Sequence, residues 1–241
     1  AVPAAPPPPA PGWHGPAPVG REESLCGSAD ELYDAACYES THPEVYRRTW
    51  PVARLLIGGQ LLCTAFRVGP DNLLLTNHHC LPTEAEVRQT EVWFNYRCPQ
   101  CDGWTTLPPV KVAATDLVAS NRELDFTMFR VDDFEAIAGF GYLELATTPP
   151  AAGEPVYIPQ HPLGLPTQVA LGDGNGDCVV VQPQTHGYGW FTDTSYRCDT
   201  QPGSSGSPVL SRRTHKVVAL HHFGSCPNSG VRAELIARYL P

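Results

Sequence analysis

A loop rich in glycine and serine near the C-terminal end of the chain has the composition of a nucleophile loop. Residues 201–208 read QPGSSGSP and precede the apolar residues Val209 and Leu210. Glycines let a backbone turn tightly, so the amides of Gly203 and Ser205 could point together at an oxygen that develops negative charge. Ser205 is the candidate nucleophile, with Gly203 and Ser205 as a candidate oxyanion hole. An ordinary Gly/Ser turn has the same composition, so the loop needs partners elsewhere.

Two further segments could supply those partners. Residues 73–80 read LLLTNHHC, so an apolar segment ends in two histidines and a cysteine. A neutral imidazole can take the proton of a serine hydroxyl when an acceptor holds its other ring nitrogen. Asp125, at the start of the apolar segment 126–131, is the candidate acceptor, although alone it could equally be a turn residue. The chain order His, Asp, Ser is more specific than any single member.

The motifs TNHHC (76–80), DFT (125–127) and GSSGSP (203–208) resemble the three motif blocks of trypsin-like serine proteases. The resemblance is closest to bacterial lysyl endopeptidases and glutamyl endopeptidases, and it runs from Leu25 to Leu240. It implies an all-β fold of two six-stranded antiparallel β-barrels with the active site in the cleft between them. It also implies peptide-bond hydrolysis through an acyl-enzyme without cofactor or metal. Because the family's base immediately precedes the cysteine, His79 rather than His78 is the predicted base.

The resemblance leaves the side-chain specificity open between two classes. Asp199 lies six residues before Ser205, where trypsins carry the pocket acid, and it favours cleavage after Lys or Arg. Thr200 and His221 stand where glutamyl endopeptidases bind an acidic side chain, which is the alternative. A catalytically silent binding module is a further alternative, but no triad member is missing. Ser204 replaces the aspartate that binds the new amino terminus of animal trypsins, so activation by that ion pair is not expected.

Nine cysteines in 241 residues favour an oxidising compartment and predict a secreted, extracellular or periplasmic protein. The resemblance implies the pairs Cys63–Cys80, Cys26–Cys226 and Cys178–Cys198. It also pairs Cys37 with either Cys98 or Cys101, which leaves one cysteine over. A zinc site of His78, His79, His221 and His222 is disfavoured, because adjacent histidines on a strand point to opposite faces.

Short apolar or alternating segments bounded by turn residues predict about twelve strands. These segments are 52–57, 60–68, 73–76, 91–97, 110–120, 126–131, 155–159, 168–171, 178–182, 189–196, 208–210 and 217–222. Helical spacing predicts a short C-terminal helix over 231–240. A proline-rich extended tail is expected over 1–22, without a signal peptide pattern, and the protease domain over 23–241, with barrels at about 50–140 and 141–230.

Composition excludes other classes of partner. The formal net charge is −9, acids and bases are interspersed, and no basic stripe could neutralise phosphates or anionic lipids. Apolar residues make up 42% of the chain, but they form no segment long enough to cross a bilayer. We therefore expect a monomer that binds protein or peptide substrates, with neither nucleic acid nor membrane as a partner.

Overall fold

The computed structural model describes residues 17–18, 25–26 and 30–241. All twelve predicted strands form. The strands are β1 Ala17–Pro18, β2 Leu32–Asp34, β3 Val52–Ile57, β4 Leu61–Arg67, β5 Leu74–Thr76, β6 Thr90–Phe94, β7 Val110–Asn121, β8 Phe126–Val131, β9 Val156–Gln160, β10 Gln168–Ala170, β11 Val179–Thr185, β12 Asp193–Arg197, β13 Pro208–Ser211, β14 Val217–Phe223 and β15 Asn228–Arg232.

The first sheet closes into a barrel. Its strand order is β1-β4-β3-β6-β7-β8-β5, and β5 also pairs with β4, so six strands from β3 to β8 form a closed ring. Strand β1 adds to this ring by parallel pairing with β4, and the rest of the predicted proline-rich tail lies outside the described residues. The predicted six-stranded first barrel is therefore confirmed.

The second sheet is curved, but its two ends are not joined by a continuous set of strand-to-strand hydrogen bonds. Its order is β11-β12-β15-β14-β13-β9-β10-β2, eight strands where six were predicted. A single bridge between Pro155 and Val179 brings the β11 end of the sheet back beside β9. The predicted two-barrel, mostly β fold is confirmed, with a half-closed second barrel.

The apolar core of the described residues forms three clusters, of which one joins the two sheets. One fills the first barrel around Leu55, Val92 and Phe129, and another fills the second sheet around Ile158 and Tyr196. The third lies between the sheets and packs Phe66, Phe126 and Met128 against Leu210, Leu220 and Ile236. We call the boundary between the two sheets, which this third cluster fills, the seam. Because the seam is closely packed, the loops that meet along it are held in fixed positions.

The helices are short. They are α1 Pro43–Arg48, α2 Glu84–Arg88, α3 Phe134–Ala138 and α4 Ala233–Ile236, and 3₁₀ segments cover Ala35–Tyr38, Pro162–Gly164 and Ala237–Tyr239. The prediction of a helix over 231–240 was wrong at its start, because Val231 and Arg232 pair with β12 and β14 as the end of β15. Within the described residues, no helix is long and apolar enough to span a membrane.

Three disulfides link the described residues: Cys37–Cys101, Cys63–Cys80 and Cys178–Cys198. Cys101 is thus the partner of Cys37, and Cys98 is a buried free thiol. Cys26 and Cys226 are both free, and the Cys26 Sγ atom lies 3.5 Å from the Ser225 carbonyl oxygen. Burial and the neighbouring Cys226 thiol raise the pKa of Cys26 to about 12. The implied Cys26–Cys226 bridge is therefore not confirmed, since both cysteines are free thiols in the structure.

Candidate active site

His79 and Asp125 form a two-point contact at the seam. The Asp125 Oδ2 atom lies 2.8 Å from His79 Nδ1, and Asp125 Oδ1 accepts the backbone N–H of His79 at 2.9 Å. A carboxylate at Nδ1 favours the tautomer that carries its proton there, which leaves Nε2 as the basic nitrogen. Both the position and the tautomer of the imidazole therefore depend on Asp125.

The backbone at Asp125 is itself constrained. Its φ is 39°, a left-handed conformation that short polar residues adopt at less cost than other side chains. The Asn77 side chain donates to the Asp125 carbonyl at 3.0 Å. This hydrogen bond fixes the segment before His79 against the residue that precedes β8. Asp125 is 1% exposed, and its carboxylate is thus held in a fixed, shielded position.

The loop that carries Ser205 is anchored to the first barrel. Thr64 N–H, on β4, donates to the Ser205 carbonyl at 2.8 Å, and Thr64 Oγ1 donates to the Gly203 carbonyl at 3.0 Å. Gly206 has φ +88°, and a Cβ there would lie 2.0 Å from the Thr64 carbonyl oxygen. Only glycine allows this approach, which explains one glycine of the GSSGSP motif.

A covalent link continues from this anchor to His79. Thr64 follows Cys63, and the Cys63–Cys80 disulfide joins β4 to the residue directly after His79. Thr76 Oγ1 also donates to the Thr64 carbonyl at 2.8 Å, which ties β5 to the same point. The nucleophile loop and the base loop thus share one support on β4.

His79 Nε2 and the candidate nucleophile Ser205 are not joined by a hydrogen bond in the described part of the chain. His79 Nε2 is buried without a hydrogen-bond partner in the described part of the chain, so it forms no hydrogen bond with Ser205, which is fully buried. Such contacts in substrate-free proteases are often long and tighten on binding. The predicted role of Gly203 and Ser205 as an oxyanion hole stays a prediction. A cavity of about 590 Å³ adjoins the imidazole and is lined by His78, His79, Arg122, Glu123, Asp125 and Tyr188.

The sequence analysis missed a second imidazole on Asp125. His222 Nδ1 lies 3.0 Å from Asp125 Oδ2. Burial alone would raise the pKa of Asp125, but the hydrogen bonds and charges of His222 and His79 override it, and the pKa falls well below its usual range. The available signal was the adjacent pair His221–His222, since neighbours on a strand point to opposite faces.

Of the three predicted specificity residues, two have hydrogen-bond partners for their side chains and Thr200 has none among the described residues. Both Asp199 oxygens accept backbone N–H groups, Oδ1 from Cys26 at 2.6 Å and Oδ2 from Glu31 at 2.8 Å. Burial raises the pKa of Asp199 despite these bonds. Thr200 Oγ1 is buried and has no hydrogen-bond partner among the described residues. His221 is fully buried, and its Nδ1 lies 2.7 Å from the Tyr196 hydroxyl.

Comparisons with known proteins identify the family of the chain. The model of the trypsin-like peptidase domain family matches residues 63–220. A curated relative, the secreted RxLR effector protein 73 of Plasmopara viticola, is 33% identical over 222 residues, which is 89% of this chain. The chain spans 54% of that relative's length.

Solved structures share the fold. A Glu endopeptidase in complex with MPD superposes with a TM-score of 0.60 at 19% identity, covering 89% of this chain and 97% of its own. Deg5 superposes with a TM-score of 0.61 at 13% identity, covering 83% and 92%. At these identities the likeness establishes the two-barrel architecture.

Proposed function

Because the chain belongs to the trypsin-like peptidase domain family, we propose that it is a secreted serine endopeptidase that uses Ser205, His79 and Asp125. The observation that carries the proposal is the double contact of Asp125 with His79, through Nδ1 at 2.8 Å and the backbone N–H at 2.9 Å. This contact leaves Nε2 as the basic nitrogen, which the proposed reaction requires. The three disulfides and the secreted relative support an extracellular location.

The proposed reaction proceeds through an acyl-enzyme. His79 Nε2 takes the proton of the Ser205 hydroxyl as Oγ attacks the scissile carbonyl, and the N–H groups of Gly203 and Ser205 stabilise the oxyanion. The imidazolium then protonates the leaving amine. A water molecule next attacks the ester, with His79 taking the water proton and returning it to Ser205 Oγ. Every proton passes through His79, so Asp125 contributes by orientation and charge.

For the residue preceding the cut, we propose an acidic side chain. The position of Asp199 in the sequence favours cleavage after Lys or Arg. In the structure, however, its two oxygens already accept the backbone N–H groups of Cys26 and Glu31. Thr200 instead offers a buried hydroxyl without a partner among the described residues, at a position where the sequence resemblance implies contact with an acidic side chain. An acidic side chain would satisfy that hydroxyl, since buried polar groups are costly when unpaired.

Mapping of all bonds cut in a denatured protein mixture tests this specificity, with Ser205→Ala protein as the blank. We expect Ser205-dependent cuts after Glu and Asp. Thr200→Val, which keeps the shape and removes the hydroxyl, should lower kcat/KM for a glutamyl peptide at least about tenfold. The exposed Thr147→Val is the matched control. Cuts after Lys and Arg that Thr200→Val leaves unchanged would contradict the proposal and would indicate that Asp199 determines the specificity.

A silent binding module is the second candidate function, and one observation favours it. The curated relative is described as an effector, and that description names no catalytic activity. The two candidates differ in a simple result. A binding module cuts nothing in the mapping experiment, whereas the proposed endopeptidase yields cuts that disappear in Ser205→Ala.

A further inference from the structure

His222 bridges two carboxylates in the interior of the protein. Its Nδ1 lies 3.0 Å from Asp125 Oδ2, and its Nε2 lies 2.7 Å from Asp193 Oδ2. All three side chains are at most 2% exposed. An ionised carboxylate can only accept hydrogen bonds, so a neutral imidazole, with one N–H, would leave one contact without a proton. An imidazolium donates to both.

Each element packed against His222 contributes to its charge environment. Asp125 faces it from the start of β8 and Asp193 from β12, while the Tyr188 ring meets it edge-on at 5.7 Å between ring centroids. From β15, the Ser229 hydroxyl donates to the same Asp193 oxygen at 3.0 Å. A further imidazole, that of His79, lies on the other side of Asp125. The facing charges are therefore two acids and the proposed base.

The direction of the titration agrees with this geometry. Burial alone would lower the pKa of His222, but its hydrogen bonds to Asp125 and Asp193 and their charges raise it to about 9. Protonation of His222 also lowers the net negative charge of this buried group of three side chains, because the imidazolium offsets one of the two carboxylates.

We propose that His222 is a positioning residue that stays protonated in the active enzyme, and that its charge, held by Asp193, acts on His79 through the Asp125 carboxylate that both rings contact. The proposal rests on the proposed function. Asp125 stabilises the protonated form of His79, and a cation on the far side of the same carboxylate opposes that stabilisation. Loss of the His222 charge should therefore change the pH dependence of kcat/KM.

The pH profile of kcat/KM tests this effect, and His222→Asn is the informative variant. The asparagine amide nitrogen can occupy the Nδ1 position and keep the donor to Asp125, while the positive charge and the link to Asp193 are lost. We expect the acid limb of the profile to move to higher pH by about one unit. His42→Asn is the matched control, because His42 precedes α1 and hydrogen-bonds to Thr41. Its acid limb should not move.

Nitrogen-15 NMR of the unmodified protein provides a readout that needs neither a variant that folds nor catalysis. We expect both ring nitrogens of His222 to carry protons at pH 7 and one to be lost as the pH rises through about 9. A singly protonated His222 ring at pH 7, or an unmoved acid limb in active His222→Asn, would overturn the proposal. If no Ser205-dependent hydrolysis exists, the proposed function fails, and the NMR titration still decides the charge of His222.

Discussion

Replacing Ser205 with alanine should abolish peptide hydrolysis while leaving the fold intact. The expected loss of kcat is at least about three orders of magnitude, because no other group in the proposed mechanism can form the acyl-enzyme. The fold should survive because the anchor of the loop uses the Ser205 carbonyl, which accepts from Thr64 N–H at 2.8 Å. That contact does not involve the side chain.

Hydrolysis rates and the free energy of unfolding, measured on the same preparations, test this expectation. Ser207→Ala is the matched control, since the Ser207 hydroxyl is buried two residues further on and has no hydrogen-bond partner among the described residues. That variant should retain its activity. Undiminished hydrolysis in Ser205→Ala would remove Ser205 from the mechanism.

Replacing Asp125 with asparagine should lower kcat by about four orders of magnitude, the size of effect that a wrong tautomer has in Ser-His-Asp enzymes. Asp125 Oδ1 accepts the His79 backbone N–H, and Oδ2 faces the ring nitrogens of both His79 and His222. An asparagine amide keeps one acceptor oxygen and has an NH₂ group, which only donates, in place of the other. With its NH₂ towards His79 Nδ1, it forces the ring proton to Nε2 and removes the base. With its NH₂ towards the backbone N–H of His79, two donors face each other and the hydrogen bond at that position is lost.

Steady-state kinetics on a peptide substrate measure this loss, and KM should change far less than kcat because substrate contacts remain. Asp133→Asn is the control, since Asp133 caps α3 through Ala136 N–H and asparagine caps equally well. An Asp125→Asn protein with unchanged kcat would show that catalysis does not depend on the contact between Asp125 and His79.

The strands could be predicted from sequence because they are short apolar or alternating segments bounded by turn residues. Strand β8 is an example: Phe126, Met128 and Phe129 fill cores on both sides of the barrel wall. Strand β15 was missed because Asn228–Arg232 is mostly polar or small, and its pairing with β12 and β14 comes from the sheet around it. The helices α1 to α3 have five or six residues, too few for a helical period to be visible.

The candidate site divides in the same way. His79, Asp125 and Ser205 lie in local motifs, so their residue types and their order in the chain are enough to single them out. The bridge from Asp193 through His222 to Asp125 joins positions 29 and 97 residues apart, so the adjacent pair His221–His222 could not identify the two acids that His222 contacts. The same holds for Asp199, whose oxygens meet Cys26 and Glu31 from 173 and 168 residues away.

Covalent labelling with a fluorophosphonate is the most direct test of the central claim, that Ser205 is a nucleophile activated by His79. We expect one adduct, located by peptide mass spectrometry on Ser205, with labelling slowed strongly by Asp125→Asn and absent in Ser205→Ala. Native protein that takes up no label, or takes it up at another residue to the same extent in Ser205→Ala, would contradict the account.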